Sequence, residues 1–176
     1  SKDKFDIEDF KSLQNNNFNL KASELVPFMM ENMNTSSLNA EEKALFNSIK
    51  QWDFNTNIDE IAPSIWAAWW DALFNLTWDE FAVEEEASKR VFTYQTIYIL
   101  KNYPDDKFID IVSTPEIETS KDLFLLSFKE ASKNLMTWKA ENGDYNWQAY
   151  KGAYVGHLLQ ALPAFSRFDL PIGGDR

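Results

Sequence analysis

DEIAPSIWAAWWDALFNLTWDEF, residues 59–81, is the most strongly patterned stretch of the chain. Its apolar side chains recur at helical spacing in two stripes. One stripe comprises Ile61, Ile65, Trp69, Leu73 and Leu76, and the other comprises Trp66, Trp70, Phe74 and Trp78. Because the two stripes together cover most of the circumference, the pattern predicts a helix that is buried on most sides.

Helical spacing also dominates outside this stretch, so the predicted fold class is all-α, an irregular multi-helix domain. Helices are predicted near residues 6–33, 39–52, 59–81, 91–103 and 119–141, followed by an irregular tail over 163–176. Pro27 is expected to bend or interrupt the first of these helices. Residues 91–103 fit both a strand and a helix pattern, and we favour a helix. No repeat of about 20 to 50 residues is present, which argues against a helical solenoid.

Capping signals support several of these boundaries. An acceptor side chain followed three residues later by an acidic residue marks a helix start. The pairs are Asp6 with Asp9, Asn39 with Glu42 and Thr119 with Asp122. Gly143 is the predicted C-terminal cap of the last long helix.

Composition excludes several classes of protein. A hydrophobic content of 44% with seven Trp and fourteen Phe predicts an extensive apolar core. The net charge of −11 argues against partners such as nucleic acid and anionic membrane surfaces. No apolar run approaches the roughly 18 residues of a membrane-spanning helix. The absence of cysteine excludes disulfides, thiolate metal sites and cysteine nucleophiles.

Nucleophile and base candidates are few. His157 is the single histidine, so a histidine-rich metal site is excluded, and a packed structural role is favoured over pairing with Ser166. No Ser has the glycines of a nucleophile elbow around it. Ser1 could act through its own α-amine, but the polar Lys2-Asp3-Lys4 that follows favours a cloning remnant.

Carboxylates are plentiful, and solvated faces or helix starts explain most of them. The groups considered as acid/base or cation sites are Asp79 with Glu80, Glu84 to Glu86, and Glu116 with Glu118. None has the spacing of a calcium-binding loop.

Two further clusters have a structural and a functional interpretation. The Trp66, Trp69 and Trp70 cluster could line a pocket for an aromatic or sugar ligand, but helical spacing favours the core. Arg167, flanked by two Phe and close to Asp169, suits a partly buried ion pair more than an anion site.

Two stretches of the chain combine into a family pattern. The first is DIEDFKSLQNNNFNLKA, residues 6–22, with an acidic start, a central Leu-Gln, and then an aromatic residue and Ala. The second combines Trp147, Gly152, His157-Leu158 and the closing Pro171-Ile172-Gly173-Gly174. Together they resemble the penicillin acylase (penicillin amidase) family of N-terminal-nucleophile hydrolases.

The resemblance spans nearly the whole chain, because the helices between the two stretches match in kind. Two positions depart from the family pattern. Asn16 stands where an Asp is usual, and Gln148 follows Trp147 where a Gly is expected.

The resemblance implies a precursor that cleaves itself into a small and a large subunit. The large subunit begins with a Ser that attacks an amide carbonyl, with its own α-amine as the base. An Asn side chain and a backbone N–H hold the oxyanion. The catalytic core of the family is a four-layer αββα sandwich. On this resemblance the chain is an internal helical segment of the large subunit that helps to frame the acyl-group pocket.

No catalytic residue or calcium ligand of the family maps onto a position of this chain. We therefore predict no catalytic residues, metal or cofactor here, and we expect the chain alone to be inactive. The expected partners are the rest of the parent precursor and a small-molecule amide substrate. A periplasmic or secreted location is expected for the parent.

The tail and the tryptophans define the remaining expectations. Gly173-Gly174 permits close backbone approach, and its position near the end of the chain suggests a piece of a larger protein. The alternative function is an aromatic-rich helical ligand-binding module of an extracytoplasmic protein, which exposed Trp66, Trp69, Trp70 or Trp78 would favour. A structural interaction domain without a ligand is a third possibility.

Overall fold

A computed structural model describes residues 4–81, 91–156, 158 and 163–174. Within these ranges the chain forms seven α-helices: α1 (Ile7–Gln14), α2 (Leu20–Asn32), α3 (Ala40–Lys50), α4 (Ala62–Thr77), α5 (Thr93–Asn102), α6 (Ser120–Asn142) and α7 (Trp147–Lys151). Short 3-10 turns lie at Thr35–Ser37, Asp79–Phe81 and Pro163–Phe165. The β-pairing in the described part is limited to isolated bridges. The predicted all-α fold class is thus confirmed.

Helix α4 packs on α6 to form the centre of the molecule. Pro63 lies in the first turn of α4, where a missing N–H costs nothing. Trp69 is fully buried, and its Nε1 donates to the carbonyl oxygen of Phe124 at 3.2 Å and to Ser127 Oγ at 3.0 Å. Its ring meets Phe128 nearly edge-on at 4.9 Å. Eleven of the sixteen residues of α4 are buried, which confirms the predicted burial on most sides.

The ends of α6 follow the predicted capping pattern. The Thr119 N–H and hydroxyl both donate to Asp122 Oδ2, at 2.9 and 2.6 Å. Gly143 ends the helix with φ of +88°, a backbone angle that favours glycine. Phe28 of α2 and Phe46 of α3 pack edge-on against rings of α6. These contacts hold α2 and α3 against the central pair.

The N-terminal region differs from the single helix predicted over 6–33. Helix α1 ends at Gln14, and the break falls at the asparagines that follow, whereas Pro27 lies inside the uninterrupted α2. Asn16 Oδ1 accepts from the N–H of Phe18 at 2.9 Å, and the Asn19 side chain caps α2. Asparagine side chains compete with helical hydrogen bonds, which explains the break. Pro27 was expected to bend or interrupt the helix, and the interruption does not occur at this residue.

Helix α1 contributes nothing to the core. Its apolar residues lie at the surface, where Ile7 is 74% exposed and Phe10 and Leu13 are more than half exposed. The helix forms because Asp6 and Asp9 make the predicted capping box. Local signals therefore determine this helix, and burial does not.

The irregular tail closes against the start of the chain. The Asn17 carbonyl oxygen accepts from the N–H of Thr56 at 2.9 Å. Trp147 Nε1 donates to the Gly174 carbonyl oxygen at 2.9 Å, and Lys151 Nζ donates to the Gly173 carbonyl oxygen at 3.0 Å. We call this set of six residues the tail junction: Asn17, Thr56, Trp147, Lys151, Gly173 and Gly174. It joins both stretches that carry the family resemblance.

Helix α7 is a short element that the sequence analysis did not predict. The Asn146 side chain caps it by accepting from the N–H of Ala149, and Gly152 ends it with φ of +60°. Its five residues are too few for a periodic apolar pattern to be visible. No helix in the described ranges is both long enough and apolar enough to cross a membrane.

Candidate ligand-binding site

A cavity of about 1120 Å³ lies beside α5. This volume slightly exceeds the usual range for small-molecule sites, about 300–1,000 Å³. Helix α2, the end of α4, α5 and the loop after α5 all contribute to its wall. The lining residues are Glu24, Trp78, Phe81, Val91, Tyr94, Gln95, Ile97, Tyr98, Ile99, Lys101, Asn102, Tyr103, Asp106 and Phe108.

Three packed rings form one wall of this α5 cavity. Trp78 lies 5.2 Å from Phe108 and 6.0 Å from Phe81, and Phe81 lies 5.7 Å from Phe108, measured between ring centroids. Trp78 Nε1 donates to Thr96 Oγ1 at 2.9 Å, which fixes the indole against α5. All three rings are half-buried. The wall is therefore supported from behind and still open to a ligand.

Helix α5 presents tyrosines to the cavity. Thr96 and Leu100 are buried on its inner face, whereas Tyr94 and Tyr98, one turn apart, are 67% and 58% exposed. The Tyr98 ring packs 5.8 Å from the ring of Tyr103. The hydrogen bond between these two side chains, reinforced by their electrostatic interaction, raises the pKa of Tyr103 above its ordinary value. The Tyr103 phenol is therefore neutral near pH 7.

Charged groups lie at the rim. Glu24 of α2 and Asp106 of the loop after α5 contribute carboxylates to the lining. Lys101 also lines the cavity, and its ammonium group lies 5.4 Å from the centroid of the Phe28 ring. Lys107 lies 4.8 Å from the centroid of the Phe108 ring. Both ammonium groups are thus placed on aromatic faces.

Asp79 and Glu80, considered from sequence as an acid/base or cation site, lie in the turn that carries Phe81. Asp79 Oδ2 accepts from the N–H of Val112 at 2.9 Å, while Asp79 Oδ1 and Glu80 Oε2 are buried without a hydrogen bond. Burial raises the pKa of Glu80 above its ordinary value, and the nearby charge of Asp79 adds to the effect. In the described part of the chain, no group of three or more His, Cys, Asp or Glu residues is arranged to hold a metal ion.

The central tryptophans are core residues. Trp66, Trp69 and Trp70 are 2%, 0% and 8% exposed, which confirms the core interpretation and argues against a pocket at these positions. Lys21 covers the remaining face of Trp70, with its ammonium group 4.6 Å from a ring centroid. Of the four tryptophans considered, Trp78 alone lines the α5 cavity.

The other acidic pair is split by the structure. Glu116 is exposed, as the interpretation of a solvated face requires. Glu118 is only 6% exposed and departs from it, because its carboxylate accepts from the N–H of Ile111 at 2.9 Å and from Thr114 Oγ1 at 2.7 Å. Glu118 thus ties together the loop before α6, which is a structural role.

Arg167 does not form the ion pair expected from sequence. Its side chain is exposed, and among the described residues no salt bridge joins it to Asp169. Its backbone instead pairs with Val155 through two hydrogen bonds of 2.8 and 2.9 Å. The expectation of burial was wrong because the flanking Phe165 and Phe168 are themselves exposed.

Several candidates cannot be placed in the structure. Ser1, Glu84 to Glu86 and His157 lie outside the described residues. Ser166, the proposed partner of His157, is half-buried in the tail. These positions therefore carry no site geometry.

The α5 cavity was missed from sequence, although a signal for it exists. Once residues 91–103 are assigned to a helix, Tyr94 and Tyr98 fall on the face opposite the buried Thr96 and Leu100. Two aromatic residues one turn apart on the solvent-facing side of a helix form an exposed apolar patch, which favours a contact surface. The contribution of Trp78, by contrast, depends on tertiary packing.

Comparison with known proteins agrees with the resemblance seen in the sequence. Neither the curated proteins nor the solved structures gave a match to this chain. The penicillin amidase family matches over residues 1–176. That match implies a hydrolase, specifically a penicillin acylase-like amidohydrolase. The chain belongs to the penicillin amidase family.

Proposed function

We propose that this chain is the helical part of a penicillin acylase-like amidohydrolase that hydrolyses a linear amide bond, and that the α5 cavity helps to frame its acyl-group pocket. This proposal is supported by one observation: the chain matches the family over its whole length, and it also contains a cavity lined by aromatic rings. An apolar acyl group would bury its surface against Trp78, Phe81 and Phe108, each Å² contributing roughly 25 cal/mol.

In this proposal the chemistry belongs to other parts of the parent protein. The N-terminal Ser nucleophile and the oxyanion donors would come from the sandwich that the resemblance implies. The described part of this chain is helical, which fits a supporting role beside that sandwich. The rest of the precursor is then the partner, and the exposed apolar side of α1 is a surface available to it. A periplasmic or secreted location is part of the same proposal.

The activity of the isolated chain tests the first half of the proposal. Purified 176-residue chain is incubated with phenylacetyl amides, and amine release is followed over time. We expect no turnover beyond that of an unrelated control protein of the same concentration. Turnover above that control would show that the chain itself carries the catalytic groups.

Binding of a non-hydrolysed amide tests the second half. Phenylacetamide is titrated into the chain, and the dissociation constant is measured by NMR. Tyr94→Ala should weaken binding about 2- to 10-fold, since an aromatic pair contributes about 0.5–1.5 kcal/mol beyond its buried area.

Tyr154→Ala is the matched control for this titration. Tyr94 and Tyr154 are 67% and 66% exposed, and each stacks on a Phe ring at about the same distance, 5.9 and 5.8 Å. Tyr154 does not line the cavity. Equal affinities for the two variants would refute the acyl-pocket assignment.

A further inference from the structure

We infer that the α5 cavity selects a positively charged ligand, an aromatic or aliphatic group that carries a substituted ammonium, over a carboxylate of the same size. That the positive charge would belong to the acyl group of an amide substrate rests on the proposed function. The charge preference itself follows from the lining of the cavity.

Aromatic faces line much of the cavity. Six rings line the cavity, from Trp78, Phe81, Tyr94, Tyr98, Tyr103 and Phe108. The negative face of an aromatic ring attracts a cation within about 6 Å of its centroid. A carboxylate gains nothing from such a face.

The chain itself already shows this attraction in the same region. Lys107 lies 4.8 Å from the centroid of Phe108, and Lys101 lies 5.4 Å from that of Phe28. Lys21, on the neighbouring helix α2, lies 4.6 Å from the centroid of Trp70. Ammonium groups thus settle on ring faces around the cavity. A ligand ammonium entering among the six lining rings would meet the same field.

Carboxylates are more numerous than ammonium groups in and around the cavity. Glu24 and Asp106 line the cavity directly. Asp79 and Glu80 lie in the turn of Phe81, and Asp110 is close enough to influence the charge of Glu80. These five carboxylates outnumber the three ammonium groups of Lys21, Lys101 and Lys107. The net charge of −11 extends the same negative field over the surface, which favours cations and repels anions.

The test compares three probes of similar size: benzyltrimethylammonium, phenylacetamide and phenylacetate. Each is titrated into the 176-residue chain at low salt, and dissociation constants are measured by NMR. We expect the cation to bind most tightly, about 2- to 30-fold more tightly than the anion, since one or two cation–π contacts supply about 0.5–2 kcal/mol. The ratio between the dissociation constants of the anion and the cation should fall at high salt, because salt screens the charges.

A charge variant ties the preference to the cavity. Glu24→Gln should reduce the ratio of cation to anion affinity roughly 1.5- to 5-fold, since one exposed ion pair contributes about 0.2–1 kcal/mol. Glu31→Gln is the control, because Glu31 is also exposed and also on α2 but does not line the cavity. An equal ratio in both variants would overturn the inference. Circular dichroism checks that both variants fold.

The outcomes separate the two proposals. Tyr94-dependent binding of phenylacetamide, with cation and anion binding equally, keeps the acyl pocket and refutes the charge preference. Tyr94-dependent binding of the cation without binding of phenylacetamide keeps the cation site and refutes the acyl pocket. Failure of all three probes to bind refutes both.

Discussion

Replacing Gly173 with Ala should destabilise the chain by forcing the tail junction apart. An added Cβ would lie 2.5 Å from Asn17 Nδ2 and 3.0 Å from both Asn17 Cγ and the carbonyl oxygen of Thr56. The Thr56 backbone is itself held, because its N–H donates to Asn17. Overpacking of this kind costs about 1–3 kcal/mol.

Gly156→Ala is the control that isolates this clash. Among the described residues, its Cβ would meet the Tyr154 ring at 3.5 Å, which is ordinary contact. Both variants share the gain of about 0.4–1 kcal/mol from a less flexible unfolded chain. The difference between the two variants therefore reports the clash and not the chemistry of the substitution.

The assay is urea unfolding followed by thermal unfolding of both variants. For a chain of this size each kcal/mol lowers the Tm by about 2–4 °C, so the Tm of Gly173→Ala should lie roughly 2–12 °C below that of Gly156→Ala. Asn17→Ala in the Gly173→Ala background removes the closest contact and should restore part of the loss. Variants that agree within about 0.5 kcal/mol would refute the close approach at the tail junction.

Three further predictions concern the core, a buried acid and a helix cap. Trp69→Phe removes the donor to Ser127 and leaves a void, and urea unfolding should show a loss of about 1–3 kcal/mol. Burial raises the pKa of Glu80, so its proton binds more tightly in the folded state; the resulting stability is present below pH 4.5 and is lost as pH rises through the folded pKa. Glu80→Gln should therefore stabilise the chain at pH 7 but not at pH 4 in thermal unfolding, and an equal effect at both values would contradict the assignment. Asp122→Ala removes the acceptor of Thr119 and should cost about 0.5–2 kcal/mol by urea unfolding, where an unchanged midpoint would show that the cap contributes nothing.

Sequence predicted best what local rules determine. The helix around Trp69 was predictable because its two apolar stripes allow no other buried arrangement. The start of α6 was predictable because Thr119 and Asp122 satisfy each other three residues apart. Gly143 was predictable as a cap because glycine readily adopts the positive φ, here +88°, with which that helix ends.

The errors arise where tertiary contacts or competing local bonds decide. Pro27 was expected to interrupt a helix, but it lies inside α2, while the side chains of Asn16 and Asn19 impose the break instead. Arg167 was expected to pair with Asp169, but a backbone bridge to Val155 determines its position. The α5 cavity needs four separate segments to meet, and no single window of sequence contains it.

The tail junction concerns how the chain folds, whereas the α5 cavity concerns which ligand it would bind. The residues of the family resemblance meet at the tail junction, where Trp147 holds the Gly174 carbonyl and Gly173 leaves no room for a Cβ. Those requirements are steric, so they define how the chain closes and not what it binds. The residues that line the α5 cavity, including Tyr94 and Glu24, lie outside the two stretches that carry the family resemblance. Substitutions that change the charge or shape of the cavity can therefore change which ligand it prefers without disturbing the tail junction. The ligand class consequently follows from the residues that line the cavity, as the proposed preference for a cation does.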